Sequence, residues 1–548
     1  MDVVDDAPST AVLVPPAGSS SPRHEPPPGR SSRFASWRSL DSRWPPADLA
    51  LWIAVPVICF GIVLRFWTSS DMWLDEALTV NIASLPVTEI HSYLMRDGSP
   101  PLYYYLLHFW MTAFGTSNAA IRALSGVFSV ATLPCVWLAG RRLGGRTVAV
   151  SVTVLVVTSP FAVYYGTEAR MYSLVAFLTA AGFLALDNSL RKPTKWNLIA
   201  VGAITALLLY AHYWSLYLVG VTGLLVIYRA WRAPAQKRHA ARMSLAAMVV
   251  GCVLFVPWVP TFIYQSQHTG TPWATPANFA DLIWAFITFG GGPSDPGFAL
   301  TMLYFAIALL GIFGFARNRS QILVDLRGNP KARGLAIAVV GTATAAVIFS
   351  YFGKATLSPR YASVIFVPLL LLVAMGINTF SDKRIACVVL VVAGWWGFDQ
   401  AIPNIWTQRS QAVQIAAALD RSGQTGDVVA YCPDQLGPDA SRLLLDQKYQ
   451  QITFPRGGSP DFVDWVNYAH VSESASVSAF SDRLEQMAGS GHSIWYVWAP
   501  GYATFGSKCQ KIQSALSADP NLVEHEVVPL DPGPYYEPMQ LVQFAQRS

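Results

Sequence analysis

The chain has 548 residues, of which 53% are hydrophobic and 13% are charged, and its mean hydropathy is +0.35. Soluble globular proteins carry about 25% charged residues. The composition therefore excludes an ordinary soluble protein and predicts that most of the chain faces lipid or other apolar segments. The net charge of +5 does not indicate nucleic-acid binding, because the basic residues form short clusters between apolar runs, as in the loops of membrane proteins.

The first 48 residues are rich in Pro, Ser and Arg and lack hydrophobic periodicity. Such a segment cannot bury enough apolar surface to fold alone. We expect residues 1–48 to be a disordered cytoplasmic tail. They do not match a secretory signal, because the first apolar run starts too late.

Residues 49–400 contain about eleven apolar segments, each near the roughly twenty residues that a transmembrane helix needs. Their approximate ranges are 49–67, 119–139, 148–165, 170–188, 197–214, 215–231, 243–262, 298–316, 334–352, 361–379 and 385–400. Basic clusters follow every second segment, at 141–146, 191–195, 229–242, 317–333 and 383–384. By the positive-inside rule, this alternation predicts a multi-pass protein of the plasma (inner) membrane. Its N-terminus would be cytoplasmic and its C-terminus extracytoplasmic.

Three regions are predicted to face the outside: residues 68–118, 263–297 and 401–548. The last is polar and of domain size, and its strand-like runs Val428–Tyr431 and Ile494–Trp498 alternate with helical patterns. This order is typical of a partly parallel sheet, so we expect an extracytoplasmic α/β domain. Its cysteines, Cys432 and Cys509, are the candidate disulfide pair, because the other four lie in apolar runs.

A carboxylate pair, Asp75-Glu76, lies just outside the first apolar segment. Acidic residues are costly near lipid, so this position indicates chemistry at the water–lipid boundary. Other charged and aromatic residues flank later segments on the same predicted face. They are Glu168, Arg170, His212, Tyr213, Lys354, Arg360 and Tyr361. Cations could hold a phosphate, and a carboxylate could take a proton from a hydroxyl, so the mixture fits an anionic, amphipathic substrate.

Each of these residues also has a simpler interpretation. The carboxylate pair could begin an amphipathic interfacial helix, since acids favour a helix N-terminus. Glu168 and Arg170 could form a surface ion pair. His212 could be an interfacial anchor, and Arg360 could be a snorkelling anchor at the start of a span.

Four motifs occur in a fixed order along the chain. They are Trp-Leu-Asp-Glu at 73–76, Pro-Pro-Leu-Tyr-Tyr at 100–104, Glu-Ala-Arg-x-Tyr at 168–172 and Arg-Tyr at 360–361. Over residues 49–400 they resemble the polyprenyl-phosphate-sugar-dependent glycosyltransferases of the GT-C fold. The branch is similar to protein O-mannosyltransferases and lipid A aminoarabinose transferases. The C-terminal domain is similar to that of actinobacterial, mycobacterial-type envelope mannosyltransferases.

The resemblance implies roles for individual residues. Asp75 would be the base that activates the acceptor, with Glu76 beside it and Glu168 as the second active-site acid. Arg170, Arg360 and Lys354 would face the donor phosphate. The other implied substrate-binding residues are Asp97, Tyr103, His108, His212, Tyr213 and Tyr361. Gly98-Ser99 stands where protein O-mannosyltransferases have a His before the Pro-Pro pair, which argues against a protein acceptor.

The implied function is transfer of a sugar, foremost mannose, from polyprenyl phosphate to a cell-envelope glycan or glycolipid on the extracytoplasmic face. An arabinofuranosyl donor is the alternative within this class. A transporter or flippase for lipid-linked sugars, and a scaffold with a sugar-binding tail, are alternatives from other classes. Transporters place charges near mid-bilayer on interrupted spans, whereas here the charges cluster at span ends. The expected partners are membrane lipid, the lipid-linked donor and the acceptor, and a divalent metal is left open.

Overall fold

The computed structural model describes residues 47–270, 278–352, 357–444, 448–533 and 535–547. The tail predicted over residues 1–48 lies almost wholly outside these ranges, as does Lys354. Within them the chain begins with sixteen helices and one short hairpin. The helices are α1 (Ala47–Leu64), α2 (Leu74–Ala83), α3 (Val87–Asp97), α4 (Leu102–Phe114), α5 (Asn118–Thr158), α6 (Pro160–Gly166), α7 (Tyr172–Arg191), α8 (Lys195–Ala211), α9 (Ser215–Arg232), α10 (Ala235–Phe255), α11 (Val259–His268), α12 (Phe279–Phe289), α13 (Asp295–Phe313), α14 (Pro330–Phe352), α15 (Ser363–Ile377) and α16 (Lys383–Ala401). The antiparallel hairpin pairs β1 (Gly314–Ala316) with β2 (Ile322–Val324).

Every predicted span corresponds to a helix of the structure. Two of them are the halves of α5, which leaves helical geometry at Gly144 and Gly145; Gly145 has a φ of +75°, a conformation that glycine adopts without strain. In the described part of the chain, seven helical segments are long and apolar enough to cross a membrane. The chain is therefore a multi-pass membrane protein.

Helix α15 forms the centre of the bundle. It is buried along its whole length and packs against α5, α7, α13 and α14. Its contact with α13 is close because glycines lie on both sides. A Cβ atom on Gly376 would lie 1.8 Å from the carbonyl oxygen of Ile307, and one on Gly311 would lie 2.2 Å from that of Leu372. Small residues of this kind allow membrane helices to approach closely.

The predicted loop between the first two spans, residues 68–118, folds into helices α2, α3 and α4. Helix α2 is mostly buried, whereas α3 buries only Ile90 and Leu94. Gly98, with a φ of +88°, ends α3, and Pro101 precedes α4. The carboxylate pair does lie in the first turn of a helix, but that helix is mostly buried and is not an exposed interfacial one.

The C-terminal region forms the predicted α/β domain. Its elements are α17 (Ala412–Ser422), β3 (Val428–Cys432), α18 (Gly437–Ser441), β4 (Gln450–Thr453), α19 (Tyr468–Ser474), α20 (Val477–Ala488), β5 (Ile494–Trp498), α21 (Lys508–Ala518), β6 (Leu522–Val528) and β7 (Gln540–Gln546). The sheet has the order β4-β3-β5-β7-β6. Strands β4, β3 and β5 are parallel, and β7 runs antiparallel to both β5 and β6, so the expected partly parallel sheet is present.

A disulfide joins Cys432, at the end of β3, to Cys509 in α21, with 5.5 Å between their Cα atoms. This agrees with the candidate pair from the sequence. The other four cysteines are free. Since disulfides persist in oxidising compartments, the bond is consistent with a domain outside the cytoplasm.

We expect maleimide labelling of the denatured, unreduced protein to modify four thiols, and labelling after reduction to modify all six. The double variant Cys432→Ser/Cys509→Ser is the control and should give four in both conditions. Its lost cross-link should lower the free energy of unfolding by about 2–4 kcal/mol. Six reactive thiols in the unreduced wild-type protein would contradict the assignment.

Candidate active site

The two neighbouring carboxylates of α2 have different surroundings. Successive residues of a helix point about 100° apart, so Asp75 and Glu76 face different parts of the protein. The Asp75 side chain keeps 16% of its surface exposed, whereas that of Glu76 is fully buried. The pair therefore separates into one accessible and one inaccessible carboxylate.

Asp75 lies between two arginines from distant parts of the chain. Its Oδ2 atom is 2.6 Å from Nη1 of Arg360 and 3.8 Å from Nη2 of Arg170. Both guanidiniums are largely buried, and the Nε atoms of both have no hydrogen-bond partner among the described residues. The snorkelling anchor considered for Arg360 and the surface ion pair of Arg170 with Glu168 are therefore wrong. Two guanidiniums therefore converge on one carboxylate oxygen of Asp75, and their Nε–H groups remain as donors without a partner among the described residues.

Glu76 is held on all sides by hydrogen bonds. Its Oε1 accepts from Nε of Arg122 at 2.7 Å and from the backbone N–H of Ala169 at 2.9 Å. Its Oε2 accepts from Nη2 of Arg122 at 2.6 Å and from Nη1 of Arg409 at 3.2 Å. Burial raises the pKa of Glu76, but the two guanidiniums outweigh burial and the pKa is lowered. This carboxylate ties α2 to α5 and to the C-terminal region, and its contacts give it a structural role.

Arg170 is oriented by a chain of polar contacts. Its Nη1 donates to Thr79 Oγ1 at 2.8 Å and to the Tyr104 hydroxyl at 3.3 Å, and Tyr104 donates to Asp97 Oδ2 at 2.8 Å. Asp97 therefore acts on the site through Tyr104. These contacts fix the guanidinium toward Asp75.

Tyr103 contacts the backbone of Arg170 through Ser125. Its hydroxyl contacts Ser125 Oγ at 2.7 Å, and Ser125 donates to the Arg170 carbonyl at 3.1 Å.

Two further predicted residues, His108 and Tyr213, also make contacts within the protein. Nδ1 of His108 lies 2.8 Å from the Ala83 carbonyl oxygen, and Trp258 Nε1 donates to the Tyr213 hydroxyl at 2.9 Å. Their geometry assigns these residues to supporting the site.

Glu168 is fully buried in the turn between α6 and α7. Neither carboxylate oxygen has a hydrogen-bond partner among the described residues. Burial raises the pKa of Glu168 to about 8, and the nearby cation Arg409 lowers it only in part. At neutral pH the group is therefore mainly protonated and can donate a hydrogen bond.

Aromatic rings surround the Arg360 guanidinium, which pairs with Asp75. The Arg360 guanidinium lies 5.5 Å from the ring centre of Trp73 and 5.9 Å from that of Tyr361. Tyr536 packs edge-on against Trp73 at 4.9 Å, yet 66% of its surface is exposed. Trp73 and Tyr361 therefore lie against the Arg360 guanidinium, and the exposed ring of Tyr536 lies next to Trp73.

His212 lies behind Tyr361, next to Tyr172. Its ring centre is 5.2 Å from that of Tyr361 and 5.9 Å from that of Tyr172. The backbone N–H of Trp214 donates to His212 Nδ1 at 3.1 Å. The histidine is buried, so the interfacial anchor considered for it is wrong.

Sequence reasoning missed Arg122, Arg409 and Tyr536. Arg122 lies in an apolar span, and a charge there is itself a functional signal that we did not use. Arg409 and Tyr536 lie in the C-terminal region, and no local pattern relates them to α2. Within the described residues no group of three or more His, Cys, Asp or Glu side chains could hold a metal ion.

The chain is similar to known proteins in two ways. Residues 98–260 match the family model for dolichyl-phosphate-mannose-protein mannosyltransferase. The fold is similar to ArnT from Cupriavidus metallidurans in the apo state, with a TM-score of 0.60, 12% identity and coverage of 91% of this chain and 98% of that chain. The same protein bound to undecaprenyl phosphate gives a TM-score of 0.57, 13% identity and coverage of 90% and 97%. No curated protein sequence matches the chain.

The chain has the GT-C fold. The fold class predicted from the sequence is thus confirmed, together with the C-terminal sheet domain. The ArnT structures extend over nearly the whole of both chains, so the similarity includes the C-terminal region as well as the helical bundle.

The raised pKa of Glu168 predicts a pH-dependent stability. An unfolded glutamate titrates near 4.3, so the contribution of Glu168 to stability is fully present below that pH and is lost as pH rises through about 8. Glu168→Gln is neutral at every pH. We expect it to melt near the wild-type temperature at pH 4.5 and above it at pH 9, as measured by thermal unfolding in detergent. The exposed-carboxylate variant Glu89→Gln should show no such trend, and a pH-independent difference for Glu168→Gln would contradict the assignment.

Proposed function

We propose that the protein is an integral membrane glycosyltransferase that takes a sugar, foremost mannose, from polyprenyl phosphate. The acceptor would be a cell-envelope glycan or glycolipid. The observation that carries the proposal is the position of Asp75 between two arginines beside the aromatic rings of Trp73 and Tyr536. The family match at residues 98–260 and the GT-C fold support the same conclusion.

The arginines suit the phosphate of the donor. Arg170 and Arg360 share one carboxylate oxygen and keep buried Nε donors without partners among the described residues. A phosphate oxygen would satisfy these donors, and guanidiniums bind phosphate through paired hydrogen bonds. Neutral Glu168 nearby adds no repelling charge. Negative charge grows on the phosphate as the glycosidic bond breaks, so fixed cations there stabilise the transition state.

The chemical step needs one base. When the donor phosphate binds Arg360 and Arg170, Asp75 is released from its ion pair and can accept the proton of the acceptor hydroxyl. The hydroxyl oxygen then forms a bond to the anomeric carbon. The bond from that carbon to the phosphate oxygen breaks, and its electron pair leaves with polyprenyl phosphate. A direct displacement of this kind inverts the configuration of the anomeric carbon.

A second candidate function is arabinofuranosyl transfer from the same class of donor, since the paired arginines would read the phosphate and not the sugar. The position of the charged groups does not support the two alternatives from other classes, a flippase and a scaffold. The charged groups lie beside α2, an outer-loop helix, and converge on a group suited to proton transfer.

We further propose that this site faces outward. The alternating basic loops support a cytoplasmic N-terminus and an outside position for residues 401–548. A lipid-linked donor would supply activated sugar there, where nucleotide sugars are absent. The disulfide within the C-terminal domain is consistent with that location.

Replacing Asp75 by Asn keeps the shape of the side chain and removes its basicity. We expect Asp75→Asn to lower transfer from polyprenyl-phosphate mannose or arabinose by about 10²–10⁴-fold, measured with radiolabelled donor and an envelope glycan acceptor. The variant Glu89→Gln, on the same outer loop but exposed, should keep wild-type turnover. Transfer by Asp75→Asn within a few-fold of wild type would remove Asp75 from the role of base.

Replacing Arg360 by Lys keeps the charge but removes the paired hydrogen bonds. Charge-assisted hydrogen bonds contribute about 1.5–3 kcal/mol each, so we expect Arg360→Lys to lose about ten- to a hundred-fold in donor turnover while melting close to wild type. The exposed Arg327 supplies the control variant Arg327→Lys, which should turn over normally. Near-normal turnover by Arg360→Lys would show that a simple positive charge is sufficient.

A further inference from the structure

The first turn of α2 is capped from the far end of the chain. Trp73 precedes the helix and provides no side-chain cap. Instead the backbone N–H of Leu74 donates to Oε2 of Glu537 at 3.0 Å. An N-terminal helix cap normally comes from a neighbouring residue, and here 463 positions separate the two partners.

Glu537 is itself fixed by the C-terminal domain. Its backbone N–H donates to the Arg409 carbonyl at 2.9 Å, and its carbonyl accepts from the Gln411 N–H at 3.1 Å. The carboxyl group of Asp439 lies near its side chain, and Asp439 accepts a hydrogen bond from the Ser410 hydroxyl. Burial, with Asp439 beside it, raises the pKa of Glu537 well above its usual range.

The cap lies where α/β domains usually bind ligands. Strand β3 continues to β4 on one side, and the chain then crosses to β5 on the other side. Such a change of direction opens a crevice at the carboxyl ends of the two strands. Trp73 and Leu74 pack in the same core as Cys432 and Trp498, the last residues of β3 and β5. The start of α2 therefore belongs to the hydrophobic core at the carboxyl ends of β3 and β5.

Both neighbours of Asp75 are thus held by residues 401–548. Glu537 binds the N–H of Leu74 before it, and Arg409 binds the carboxylate of Glu76 after it. We propose that Glu537, supported by Asp439, is a positioning residue that sets the distance between Asp75 and Arg360. This role rests on the proposed function for its effect on turnover, while the cap can be measured without any substrate.

The test compares Glu537→Ala with Glu537→Gln in the full-length protein. Glutamine keeps an oxygen that can accept from Leu74, and alanine does not. By amide hydrogen exchange, we expect peptides covering residues 74–83 to exchange about five- to thirty-fold faster in Glu537→Ala and near the wild-type rate in Glu537→Gln. Peptides covering β3 and β5 should be unchanged. Glu526→Ala, at an exposed position of β6, is the matched control.

The kinetic readout separates positioning from general stability. With polyprenyl-phosphate mannose as donor, Glu537→Ala should lower kcat by about five- to thirty-fold and leave the donor KM within two-fold of wild type. In Glu537→Gln, kcat should return close to the wild-type value. If Glu537→Ala does not fold, Glu537→Met replaces it, because methionine fills the volume without accepting the hydrogen bond.

Two results would overturn the inference: unchanged exchange of residues 74–83 in the alanine or methionine variant, or faster exchange with unchanged kcat. If wild-type protein transfers neither mannose nor arabinose, the proposed function fails. The exchange data then decide whether Glu537 holds α2.

Discussion

The site depends on one buried carboxylate, Glu76. It receives four hydrogen bonds, from two arginines and one backbone amide, and so joins α2, α5, the turn before α7 and the C-terminal region. Removing one partner of a buried ion pair typically costs about 3–5 kcal/mol, because the remaining charge is left unpaired. The positions of Asp75 and of the turn that carries Glu168 and Arg170 both follow from this junction.

The surroundings give adjacent acidic residues opposite properties. Glu76 is fully ionised by its arginines and inaccessible, whereas Asp75 reaches a surface lined by exposed Tyr536. Glu168 is kept neutral by burial. Three carboxylates within one site thus differ in exposure, in hydrogen bonding and in ionisation. Separating these roles requires only that each side chain has a different set of neighbours.

Much of the fold could be predicted from the sequence, because membrane spans, basic loops and strand-like runs are local patterns. The apolar segments that became helices and the partly parallel sheet follow from such patterns. Asp75, Arg170 and Arg360 could be proposed as a site because they lie at span ends on one predicted face. The different surroundings of Asp75 and Glu76 could not be predicted from the sequence. They depend on Arg122 and Arg409, which only the tertiary fold brings to α2. The burial of α2 could not be predicted either, since it comes from contacts with other segments.

The junction at Glu76 has a consequence for how the protein is made. Arg409 follows Glu76 by 333 residues, and all the spans between them must leave the ribosome first. Until then the nascent chain carries Glu76 opposite Arg122 alone, and the first turn of α2 lacks its distant cap. Contacts between such separated residues form late, after the entropy of closing the intervening chain has been overcome. A chain interrupted after α16 would therefore have its membrane helices without the contacts of Arg409 and Glu537 to α2, so assembly of the site is tied to synthesis of residues 401–548.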